Sequence, residues 1–147
     1  MNYSLPSFLS GVVSEKKYND WVKKQADRHY TRDSDSKRNK APPGTSKEDY
    51  QKMIHNAVIR SCGKDEYSGE NMAWAKIGTY AGTSKKRDFK DLPTVDHEFD
   101  EKGDLLGFYI TRWDTNDCKN DLSYFEWLEK CQKIIDHYKN KKGDESP

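Results

Sequence analysis

Residues 93–121 read PTVDHEFDEKGDLLGFYITRWDTNDCKND, and the parsing of this stretch decides the fold. An apolar-flanked run around Asp96 and His97 reads as a short strand. Asp100-Glu101-Lys102-Gly103-Asp104 is a polar turn. Leu105 to Trp113 is a second strand, rich in aromatic and β-branched residues. Thr115 to Asp121 then suits a short polar helix. The product is a hairpin closed by a helix, with an acid and an imidazole adjacent on one arm and Asn116 at the helix start. Such a unit can bring a carboxylate, an amide oxygen and an imidazole around one divalent ion.

T-V-D-H, the hairpin and N-x-x-K-N-D-L together resemble the ββα-metal fold of the HNH nucleases, most closely the D-H…N variant of recombination endonucleases of the endonuclease VII type. Tyr67-Ser68-Gly69-Glu70 resembles the turn that often precedes this motif. The core likeness covers about a third of the chain, and the looser one reaches back to Cys62. The resemblance implies that Asp96 and Asn116 bind the metal and that His97 is the general base. Gly107 stands where many members carry a middle Asn or His. The paired C-x-x-C ligands of a structural zinc are absent from this sequence, so no structural zinc is expected.

These residue types suit phosphodiester hydrolysis. A hard cation, Mg²⁺ or alternatively Mn²⁺, takes oxygen ligands and is commonly held by one or two carboxylates, with water and substrate phosphate completing its shell. An imidazole, with an ordinary pKa of about 6.5, accepts a proton near neutral pH. Neighbouring strand residues point to opposite faces. Asp96 and His97 therefore serve one phosphate only across the hairpin edge or through a local bend. Lys119, one turn beyond Asn116, is placed to support the phosphate electrostatically or to pack its stem on the hairpin.

The net charge of +1 hides a gradient. The first ninety residues hold eighteen Lys/Arg against eleven Asp/Glu, whereas residues 91–147 hold eight against fourteen. A basic front half fits a phosphate backbone, and equally an ordinary solvated surface. Lys85, Lys86, Arg87 and Lys90, in the basic loop 82–91, are the expected DNA contacts, joined by Arg38 and Lys40 in the polar linker 31–45. None carries a base-reading signature, so low sequence specificity is expected. Cys62, Cys118 and Cys131 are scattered and odd in number, which suits a reducing cytoplasm. No segment reads as a signal peptide or a membrane span.

The expected class is α+β and mainly helical, the ββα-metal core lying between amphipathic helices. Residues 1–45 read as a helix (Ser14 to about Tyr30) and a basic linker, 46–140 as the nuclease-like domain, and 141–147 as a polar tail. Ser46 opens a second helix with the stripe Tyr50, Met53, Ile54, Ala57 and Val58. His55 falls off that stripe and reads as a surface residue. A short helix is expected within 71–80, and Ser123-Tyr-Phe-Glu126 is a capping box for a last long helix. The functional expectation is a metal-dependent DNA endonuclease. The alternatives are a nucleic-acid-binding module that keeps the scaffold without cutting, and an interaction protein of the toxin-immunity kind with an accidental Asp-His pair.

Overall fold

The structure is a computed structural model that describes residues 2–35 and 41–143. Among these residues it is α+β, with four α-helices and one two-stranded antiparallel sheet. The chain forms two compact units, Met1–Asn116 and Asp117–Pro147.

In the first unit, α1 (Glu15–Asp33) starts where the Ser14 side chain accepts the Lys17 N–H. Its buried face carries Tyr18, Trp21, Val22, Ala26, His29 and Asp33. The helix thus runs beyond Tyr30 into the segment expected to be a loop. The polar run Thr31-Arg-Asp33 discourages a helical reading, yet Asp33 continues the buried stripe. α2 (Lys47–Ser61) begins with a reciprocal capping box. Ser46 Oγ accepts the Asp49 N–H, and Asp49 Oδ2 accepts the Ser46 N–H at 2.8 Å. It ends through two left-handed residues, Cys62 and Gly63. A Cβ on Gly63 would lie 3.0 Å from the Phe8 ring, so this end favours glycine both in conformation and in space.

β1 (Pro93–Phe99) pairs with β2 (Leu105–Arg112), Asp96 opposite Tyr109 and His97 opposite Phe108. The register runs evenly through Asp96 and His97 and shifts only between Glu98 and Phe99. No bulge turns the two side chains to one side. Val95, Phe108 and Ile110 join Tyr18, Val22, Tyr50, Ile54, Val58, Trp74 and Ile77 in one core. Large rings fill it, with Trp21 edge-on to Trp74 and Tyr50 against Phe108. Residues 71–80 form only a 3₁₀ turn at Trp74–Lys76, not the expected helix. A second 3₁₀ turn, Lys86–Phe89, interrupts the basic loop.

β2 passes directly into α3 (Trp113–Lys119). The Trp113 and Asp114 N–H groups donate to the carbonyls of Leu92 and Lys90, tying the helix start to the chain just ahead of β1. In the second unit, α4 (Tyr124–Gly143) opens with the expected capping box: Ser123 N–H donates to Glu126 Oε2 at 2.9 Å, and Ser123 Oγ accepts the Glu126 N–H. No helix among the described residues is long and apolar enough to cross a membrane.

Candidate functional site

His97 leaves β1 on the face of Phe108 and meets the last turn of α1. Its Nε2 lies 2.7 Å from Asp33 Oδ2, while Arg32 Nη2 lies 3.1 Å from its Nδ1 and 3.3 Å from its Nε2. A carboxylate only accepts and a guanidinium only donates. The partners therefore place the imidazole proton on Nε2, toward Asp33, and make Nδ1 the acceptor for Arg32. His29, one turn earlier on α1, packs edge-on to His97 with ring centroids 4.9 Å apart and accepts from Arg32 Nη2 at 2.9 Å.

Asp33 anchors this cluster. It is 1% exposed, and Oδ2 also accepts the Tyr50 hydroxyl at 3.1 Å. Its Oδ1 is buried and takes no hydrogen bond among the described residues, with Arg32 Nε 3.6 Å away. Burial alone would raise the carboxyl pKa, but the bond and charge of His97, the Tyr50 hydroxyl and Arg32 together hold it below the usual value. Burial, reinforced by the charges of His97 and Arg32, pushes His29 down to about 3, so it stays neutral at physiological pH.

Asp96 points to the other face. Its Oδ2 accepts the Tyr67 hydroxyl at 2.7 Å, and its Oδ1 accepts the His97 N–H at 3.0 Å. Burial, then the Asp96 carboxylate, holds the Tyr67 hydroxyl above its ordinary range, so it remains a donor. Tyr67 arrives on the turn 64–71, which Asp65 organises. The Asp65 carboxylate accepts the N–H groups of Tyr67, Ser68 and Arg112 and the Thr111 hydroxyl. Glu66 adds backbone pairing with Ile110 and a 2.6 Å bond from the Ile110 N–H to its own carboxylate. The turn thereby closes the outer edge of β2 and carries Tyr67 to Asp96.

Asn116 lies half-buried in α3, and Lys119 is buried in its last turn at 7% exposure. Gly107 sits opposite Glu98, and a Cβ there would lie 3.4 Å from Glu98 Oε2. Glu98 in turn accepts from Tyr109 at 2.9 Å and lies 3.6 Å from Arg60. A Glu98–Arg60–Tyr109 group thus lies beside Gly107. Among the described residues, no three His, Cys, Asp or Glu side chains form a metal-binding group. Asp96 and Asn116 supply one carboxylate and one amide oxygen. Each Asp96 oxygen accepts a hydrogen bond, and a carboxylate with an amide oxygen is the donor chemistry that a hard cation takes when water and phosphate complete its shell.

Lys85, Lys86, Arg87 and Lys90 are exposed, with Lys86 Nζ 5.1 Å from the centroid of the Trp113 ring at the start of α3. The Lys90 carbonyl receives the Asp114 N–H, so this loop adjoins the helix that carries Asn116. Arg38 and Lys40 lie outside the described residues. His55, expected at the surface, is half-buried. It stacks on Tyr3 with centroids 4.2 Å apart and bonds to the Tyr18 hydroxyl at 2.7 Å. Sequence reasoning missed Asp33 and Arg32 at the site. The available signal was the spacing 18, 22, 26, 29, 33, which carries an acid to the end of a core stripe. No family model, curated protein or solved structure matches this chain.

Proposed function

We propose that the chain is a divalent-metal-dependent endonuclease of DNA in which His97 acts as general base. The observation that carries this reading is the pairing of His97 with buried Asp33 at 2.7 Å, with Arg32 at the other ring nitrogen. A carboxylate that holds an imidazole by one nitrogen fixes its tautomer and directs the other nitrogen to the reacting proton. In the substrate-free state that second nitrogen is occupied by Arg32. A phosphate oxygen is the stronger partner for a guanidinium. When Arg32 turns to the phosphate, Nδ1 is released to take the proton of the attacking water.

Asp96 and Asn116 would hold the cation, which when bound supplies charge neutralisation at the phosphoryl oxygens and leaving group. Tyr67 orients the Asp96 carboxylate through its hydroxyl. The phosphate would lie at the outer edge of β1, where side chains from both faces reach it, and Lys85, Lys86, Arg87 and Lys90 would grip the flanking backbone.

A specific observation favours a second reading, a module that binds DNA without cutting. Asp96 and His97 face opposite sides of an evenly registered strand, and each already has partners. Nicking of supercoiled plasmid separates the two. The endonuclease reading expects relaxed circles with Mg²⁺ or Mn²⁺ and none with chelator. DNA retention at low salt without nicking under any metal would establish the second reading instead.

A further inference from the structure

Arg32 reaches two imidazoles with one nitrogen. Its Nη2 lies 2.9 Å from His29 Nδ1 and 3.1 Å from His97 Nδ1. Each terminal nitrogen of a guanidinium carries two hydrogens and accepts none, so one hydrogen serves each ring. His97 Nε2, 3.3 Å from the same Nη2, carries the proton given to Asp33 and is no acceptor. Arg32 Nε faces Asp33 Oδ1 at 3.6 Å, and Nη1 makes no hydrogen bond among the described residues. The two rings are held differently. His29 stands three residues before Arg32 on α1, a spacing that places both on one side of the helix. It is 7% exposed and packs edge-on to His97 at 4.9 Å and to Phe108 at 5.4 Å. Burial keeps its pKa at about 3, so His29 Nδ1 remains an acceptor near neutral pH. His97 belongs to β1, 65 residues from Arg32 in sequence.

We propose that His29 is a positioning residue, which holds Arg32 Nη2 in place while the guanidinium exchanges His97 for a phosphate oxygen of DNA. This role rests on the reading of Arg32 as a phosphate ligand. One hydrogen of Nη2 stays on His29 Nδ1. The other passes from His97 Nδ1 to the phosphate, and Nη1 supplies the second arm of the fork that a guanidinium offers an oxyanion. His29 acts through Arg32 and needs no contact with the DNA. Without this anchor a long, rotatable side chain is shared between His97 and the phosphate. Neither the release of His97 Nδ1 nor the place of the phosphate is then fixed.

The chain has four histidines, so ¹⁵N-histidine labelling gives ring-nitrogen spectra that single substitutions assign. The full chain is titrated with a short DNA duplex in the presence of chelator, which prevents cutting. His97 Nδ1 should shift as it loses its donor, while His29 Nδ1 keeps its shift. Movement of His29 Nδ1, or no movement of His97 Nδ1, overturns the proposal. This readout needs no cleavage and so stands apart from the nuclease reading, which falls if the wild type cuts with neither Mg²⁺ nor Mn²⁺. Where plasmid is cut, His29→Phe, which keeps a ring but offers no acceptor, should lower kcat by about 10- to 100-fold with DNA retention unchanged. His29→Gln, whose amide oxygen accepts, should restore most of the rate. In an Arg32→Ala background His29→Phe should cost nothing more, because its effect runs through Arg32. An equal loss in both backgrounds would mean that His29 acts on the fold or on His97 directly, and contradicts the inference.

Discussion

His97 is held between a carboxylate that accepts and a guanidinium that donates, so in its neutral form both ring nitrogens are satisfied. Breaking such a buried arrangement by deleting one partner strands the others, which costs more than the pair itself contributes. His29 sets a further condition, because burial, with the Arg32 guanidinium beside it, penalises its charged form. Its folded pKa of about 3 lies below the unfolded value of about 6.5. The unfolded chain therefore binds the extra proton first, and stability falls as pH drops from about 6.5 toward 3, by up to roughly 1.4 kcal/mol per unit. His55, also lowered by burial, adds to the same slope. Asp33 acts lower down, its contribution lost only as pH falls below the ordinary carboxylate range. Denaturant unfolding between pH 6.5 and 4.5 should show His29→Gln with a slope shallower than wild type by about one proton. An identical slope would contradict a buried neutral His29. At this scale Asp96, His97 and Asn116 stand out in the sequence as residue types. Asp33 and Arg32 do not, because their role depends on α1 passing beside β1, a contact between residues about 64 apart.

Elements whose signals are local are legible in the sequence. The hairpin, α3 and the three capped helix starts rest on alternation, turn residues, the Ser14 cap and the Ser-x-x-acid patterns at Ser46 and Ser123, all within a few positions of one another. The turn at Tyr67–Glu70 is legible, but its pairing with β2, more than forty residues away, is not. Asp65 is buried and gathers three backbone N–H groups and a hydroxyl, which all lose their acceptor if it is removed. Asp65→Ala should therefore destabilise the fold by about 3 kcal/mol or more, read as a lowered urea midpoint. It should also displace Tyr67 from Asp96. A variant within about 0.5 kcal/mol of wild type would show that the turn is not held through this carboxylate. The expected helix within 71–80 fails for a related reason: Trp74 and Ile77 are buried by tertiary packing around a 3₁₀ turn, and helical spacing is not needed to bury them.

Across the whole molecule, positive charge concentrates in the first ninety residues, and the exposed loop at Lys85, Lys86 and Arg87 adjoins the start of α3. Phosphate contacts release counterions, so replacing these three by Ala should weaken DNA binding for every sequence alike. The slope of log affinity against log salt should flatten by about two to three units. Unchanged salt dependence would move the DNA contact elsewhere. Metal-dependent cleavage with His97 as base is the central claim, and one rate comparison addresses it. Plasmid cleavage should be measured with saturating Mg²⁺ for wild type and His97→Ala, alongside gel retention of the same DNA. The account predicts a loss of about 10²–10⁴ in rate for His97→Ala, with DNA retention nearly unchanged. Cleavage by His97→Ala at the wild-type rate would contradict it.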